Sequence, residues 1–135
     1  TFISMVNDAA TPHTGLAGIE AQLSNIKTPI DILILGMGDD GHTASLFPKA
    51  DELEAACASS ALVAAVTPPA APHQRITLTL PTIAQSRQVI VHITGSGKKE
   101  LLNTAMSEEK TLTEQYPIRR VLDQVVSQPL VFWAA

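Results

Sequence analysis

A single cysteine, Cys57, stands in 135 residues, so no disulfide can form within the chain and a reducing, cytoplasmic setting is expected. Charged residues make up only 16%, and the 9 basic ones are outnumbered by 13 acidic ones, leaving a formal net charge of −4. That balance argues against a general nucleic-acid-binding surface, so an anionic ligand must be met by cations gathered locally. No apolar run approaches the length of a membrane span. No cluster of His, Cys and carboxylates has metal-ligand spacing, so no metal is expected. No G-x-S-x-G nucleophile elbow is present, so a covalent acyl-enzyme is not indicated. Internal repeats and low-complexity segments are also missing.

What is there is a largely apolar chain, 45% hydrophobic, with enough length for one domain and one core. Its most informative stretch is Asp31 to Pro48, DILILGMGDDGHTASLFP. Ile32 to Leu35 read as a strand apolar on both faces, as expected in the middle of a covered parallel sheet. Gly36, Gly38 and Gly41 follow and predict a turn with positive φ and a close approach of backbone to ligand. Asp39, Asp40, His42, Thr43 and Ser45 come next, at the carboxyl end of the strand, where open α/β sheets bind their ligands.

Elsewhere strands and helices alternate, which predicts an α/β fold. Leu16, Ile19, Leu23 and Ile26 recur at helical spacing and predict a helix over 14–26, capped by Thr14. A short helical turn is expected from Thr43, stopped by Pro48. Another helical piece is expected at 51–56 and a strand at 62–66. TPPAAPHQ, 67–74, is a proline-rich loop. RITLTL then alternates as a strand, followed by a short helix at 81–87. Gln88–Thr94 is a second apolar strand, with His92 expected as a hydrogen-bonded core residue. Helices are expected at 97–106 and around Ile118–Val125, and a closing strand at 129–134. The whole predicts about five strands in one mostly parallel sheet. The chain opens at Thr1 without an obvious capped start, and the preceding part of a longer protein is expected.

Gly36-Met37-Gly38-Asp39-Asp40-Gly41 formally satisfies GxGxxG after a strand, which alone is a weak dinucleotide signal. Asp39 and Asp40 would repel a pyrophosphate, and no long apolar helix follows. A bland turn with solvated polar residues explains the glycines but not so dense a polar set. The functional reading makes His42 a proton acceptor, since imidazole titrates near pH ~6.5. Asp40 would fix its tautomer, and the pair would activate water for attack on a carbonyl. Backbone N–H groups of the turn are expected to stabilise the oxyanion. Thr43 and Ser45 read first as caps, then as substrate contacts. Arg75 is either a surface charge or a phosphate ligand. Gly95-Ser96-Gly97-Lys98-Lys99 joins a strand to a helix, the geometry of an anion-binding turn. Lys98 is the lysine nearer that turn. His13 and His73 rank low, and Cys57 reads as packing.

Together GMGDDGHTASLFP at 36–48, RITLTLP at 75–81 and TGSGKKELL at 94–102 resemble the 6-phosphogluconolactonases, from about residue 12 to the end. Glucosamine-6-phosphate deaminase shares the Asp-Gly-His turn. It continues toward a Phe-Asn-Glu-Pro sequence with a catalytic glutamate, where Ala44-Ser45-Leu46-Phe47-Pro48 stands here. The resemblance implies a Rossmann-like doubly wound, mostly parallel sheet with helices on both faces. Residues 1–135 would form the carboxyl-terminal part of a longer lactonase domain. It implies hydrolysis of 6-phospho-D-glucono-1,5-lactone to 6-phosphogluconate, a small phosphorylated substrate, with no cofactor; a monomer is expected, and a non-catalytic sugar-phosphate-binding fragment is the other alternative. His42 would be the general base, Asp40 its orienting carboxylate, and Gly36, Gly38 and Gly41 the turn around the substrate. Arg75 and Lys98 would hold the 6-phosphate. The family's amino-terminal Asp-Glu-Arg segment has no counterpart in residues 1–30.

Overall fold

The computed structural model describes residues 2–69, 73–107 and 115–135. The chain opens with α1 (Pro12–Leu23), β1 (Ile32–Leu35), α2 (Leu53–Ala58), β2 (Val63–Val66) and β3 (Arg75–Leu78). It continues with α3 (Leu80–Ala84), β4 (Gln88–Thr94), α4 (Ser96–Ala105), α5 (Pro117–Gln124) and β5 (Leu130–Ala134). The proline-rich loop lies between β2 and β3, and its residues 70–72 lie outside the described residues.

The strands do not form one sheet. β1, β4 and β5 make a parallel sheet in the order β1-β4-β5, and β2 and β3 pair antiparallel as a separate two-stranded unit. The architecture is α/β with parallel and antiparallel pairing and flanking helices. β4, not β1, is the central strand. Its register with β1 places Leu33 beside Val89 and Leu35 beside Val91 on one face. Val89, Val91 and Ile93 are buried there, under helices α2–α5. The other face carries Ile32, Ile34, His92, Leu130 and Phe132, and it is open. Ile32 and Ile34 are 62% and 67% exposed. Among the described residues, then, helices cover the parallel sheet on one face rather than both. His92 is exposed, not a core residue, because it points to that open side.

Local chemistry explains the element boundaries. α1 begins two residues before the expected start, because Thr11 is its cap: Thr11 Oγ1 accepts from the Thr14 N–H, Thr14 Oγ1 bonds back to the Thr11 N–H, and Pro12 sits at the first turn. Ile19 and Leu23 then bury against Val63 of β2. Thr79 ends β3 and caps α3, with Pro81 in its first turn. Pro117 opens α5, whose Ile118 and Val121 are fully buried, each apolar side chain of this size contributing about 1.5–3 kcal/mol on burial. The helical turn expected from Thr43 is not formed. Ala44 takes φ +50° and a bridge joins Thr43 to Leu46, a tight turn that right-handed helix cannot continue through.

Candidate active site

The loop after β1 is built by its own polar groups. The Gly38 N–H donates to the His42 carbonyl at 2.9 Å, and the Gly41 N–H to the Gly38 carbonyl at 3.0 Å. Asp40 Oδ1 accepts from the His42 N–H at 3.0 Å, an Asx turn. The fully buried Thr43 donates through Oγ1 to the Gly36 carbonyl at 2.7 Å. Thr77 on β3 accepts from the Ser45 N–H at 3.0 Å and so ties the loop to the hairpin. Thr43 is thus a structural strut, neither helix cap nor substrate contact.

The result is an oriented imidazole. His42 Nδ1 stands 2.6 Å from Asp40 Oδ1, and Nε2 has no hydrogen-bond partner among the described residues. Partial burial alone would raise the Asp40 pKa, but the hydrogen bonds from the His42 N–H and ring outweigh it and hold the carboxyl below its ordinary value of 3.8. A depressed carboxyl contributes stability that is full above pH 3.8 and is lost as pH falls through its lower folded value. Asp40→Asn is therefore expected to flatten the acid limb of a urea-midpoint-against-pH curve. The effect is small, because Asp40 is 46% exposed. Parallel acid limbs in parent and variant would contradict the assignment.

The three glycines do different work. Only Gly41 has positive φ, at +77°, and a Cβ there would meet Tyr116 Cδ1 at 2.5 Å. Gly38 is required by its neighbour, since a Cβ would lie 2.1 Å from His42 Cε1. Gly36 has nothing within 4 Å of that position. The expectation of positive φ therefore fails at Gly36 and Gly38. The oxyanion role fails too for the amides of Gly38, Gly41 and His42, whose hydrogens close the turn itself.

A cavity of about 590 Å³ opens beside this loop, lined by Gly36, Gly38, His42, Ser45, Thr77 and Lys98 among others. Gly41 does not line it, being buried against Tyr116. Lys98 reaches it from the first turn of α4, with Nζ 4.0 Å from Asp39. Lys99 turns away, its Nζ 3.9 Å from the centre of the Trp133 ring. Trp133 Nε1 in turn donates to the Gly95 carbonyl at 2.9 Å. Gly95 caps α4 with φ +84° and leaves the first amides of the helix without a side-chain cap. Arg75 is not brought to the His42 cavity. It lines a neighbouring one, and the two share Met5 and Ile76 as walls. Met5, Ile76 and Thr77 carry no local sequence signal for this role. Cys57 is half-buried against the core, and burial pushes its thiol pKa up. Among the described residues no group of three or more His, Cys, Asp or Glu could hold a metal ion, and no helix is long and apolar enough to cross a membrane.

Residues 1–131 match the family described as glucosamine-6-phosphate isomerases/6-phosphogluconolactonase. The chain belongs to this family. It is 42% identical over 138 residues to a 6-phosphogluconolactonase of Neisseria meningitidis, covering 98% of this chain and 58% of that protein. It is 33% identical to a 6-phosphogluconolactonase of Rhizobium meliloti, covering 98% and 57%. The crystal structure of a 6-phosphogluconolactonase from Shewanella baltica superposes with TM-score 0.90 at 40% identity, covering 97% of this chain and 55% of that one. The chain therefore spans somewhat more than half the length of these family members.

Proposed function

We propose that this chain carries the catalytic base of a 6-phosphogluconolactonase, which hydrolyses 6-phospho-D-glucono-1,5-lactone to 6-phosphogluconate. The observation that carries the reading is the His42–Asp40 pair at 2.6 Å, with Nε2 unpartnered among the described residues, beside a cavity that also holds Lys98. His42 Nε2 takes a proton from water, and the hydroxide formed adds to the lactone carbonyl carbon. The bond from that carbon to the ring oxygen then breaks, and the imidazolium returns its proton to the departing oxygen. Asp40 holds Nδ1–H throughout and stabilises the charged ring. The carboxylic acid product ionises, so each turnover releases one proton to solvent.

Lys98 and the uncapped amides at the start of α4 form the proposed phosphate seat, a helix N-terminus with an added cation. Arg75 is the second candidate, from the adjoining cavity. The reading needs no metal or organic cofactor and takes the enzyme as a cytoplasmic monomer. The sheet with its open face is read as part of a longer, doubly wound domain, of which this chain is the carboxyl-terminal portion. The residues following His42 favour the lactonase over the deaminase, since Ala44-Ser45-Leu46-Phe47-Pro48 offers no carboxylate for ring opening.

Proton release from the phosphorylated lactone, followed by pH-stat, tests the function directly, and ammonia release from glucosamine 6-phosphate would instead favour the deaminase. Lys98→Ala is expected to raise KM about 10- to 100-fold, the loss of a hydrogen bond to a charged group. Arg75→Ala is the comparison: a KM equal to the parent's removes Arg75 from the phosphate seat.

A further inference from the structure

His42 is confined by more than its carboxylate. Phe47 packs against the imidazole with ring centroids 4.2 Å apart and planes tilted by 30°. Phe47 itself is 8% exposed and held in the core cluster with Leu35, Leu46, Ala50 and Leu53. Gly38 closes another side of the imidazole, so closely that no Cβ fits there. A hydrogen bond at Nδ1 sets the position of one atom but leaves the ring plane free to rock, because the terminal torsion of a histidine is broad. The aromatic contact restrains that plane.

His42 lines the cavity shared with Lys98. Phe47 and Asp40 line a third cavity, of about 630 Å³, that His42 does not line. Phe47 thus touches the imidazole and also borders that space.

We infer that Phe47 is a positioning residue for His42: its ring fixes the imidazole plane so that Nδ1 stays on Asp40 and Nε2 stays on the substrate side. The inference rests on the reading of His42 as general base and acts only through it. Misplacing a reacting group by about 1 Å can cost on the order of 100-fold in rate, so loss of the ring should appear in kcat.

Phe47→Leu and Phe47→Met remove the aromatic ring and keep an apolar side chain, while Phe47→Tyr keeps the ring. Nitrogen NMR of His42, at a pH where the imidazole is neutral, reads its tautomer. The expected result is one tautomer protonated at Nδ1 in the parent and the Tyr variant, and a mixed signal in the Leu and Met variants. With the phosphorylated lactone, kcat should fall about tenfold or more in Leu and Met, KM should stay within about twofold, and Tyr should restore kcat. A folded Leu or Met variant with the parent's tautomer or the parent's kcat overturns the inference. A parent that releases no proton from the lactone would instead remove the catalytic reading, and the NMR comparison would still decide whether Phe47 holds the ring.

Discussion

Replacing His42 by alanine is expected to lower kcat for lactone hydrolysis by about 10²- to 10⁴-fold, the usual contribution of a positioned general base. KM should barely change, because the proposed phosphate seat at Lys98 and the start of α4 is untouched. The fold should survive as well. The backbone of residue 42 keeps its part in the turn: its carbonyl still accepts from the Gly38 N–H, and its N–H still donates to Asp40. The substitution removes only the ring, its contact with Phe47 and its bond to Asp40. Steady-state proton release and a thermal melt on the same samples separate the two effects. A variant with the parent's turnover would exclude His42 as the base, whatever the geometry around it.

Gly41→Ala is expected to be the most damaging small change for stability. Two costs fall on one methyl group. Residue 41 sits at φ +77°, where a side chain costs about 1–2 kcal/mol. Its Cβ would also stand 2.5 Å from Tyr116 Cδ1, and overpacking of this kind costs about 1–3 kcal/mol. Relaxation is hindered because the Gly41 carbonyl accepts from the Ile118 N–H at 3.0 Å, anchoring the loop to the first turn of α5. Gly36→Ala is the matched control, with open space around its Cβ and an ordinary φ. Urea unfolding should show a clear drop in midpoint for the first and little change for the second. Equal midpoints for Gly41→Ala and the parent would show that the loop does not depend on this glycine.

The periodic elements were legible because period and end signals are local. Arg75–Leu80 alternates, Gln88–Thr94 is an apolar run that ends at a glycine, and the helix after it starts where Gly95 allows a sharp turn. The Asp40–His42 pair was legible for the same reason, since two residues of separation bring a carboxylate to a neighbouring ring. Sheet order was not. An apolar strand such as Ile32–Leu35 records that both its faces prefer cover, not which strands flank it, and here β4 took the centre. His92 shows the same limit: an apolar neighbourhood in sequence did not bury it, because its side of β4 is the open one. The separate reasons for the glycines were hidden too. Gly38 answers to a ring four residues on and Gly41 to Tyr116 on a distant segment, contacts that only the folded chain creates. Arg75 opens its strand as expected, but it lines the neighbouring cavity rather than that of His42.

Trp133 has a use that its packing makes available. It is the only tryptophan in the chain, and its indole is hydrogen-bonded to the carbonyl of the residue that caps α4. The lysine next to Lys98 lies over its ring. Indole emission responds to both nearby charge and hydrogen bonding, so the chain carries its own optical reporter at the proposed phosphate seat. Occupancy there is expected to change the intrinsic fluorescence, without label or turnover, even in variants that have lost the base.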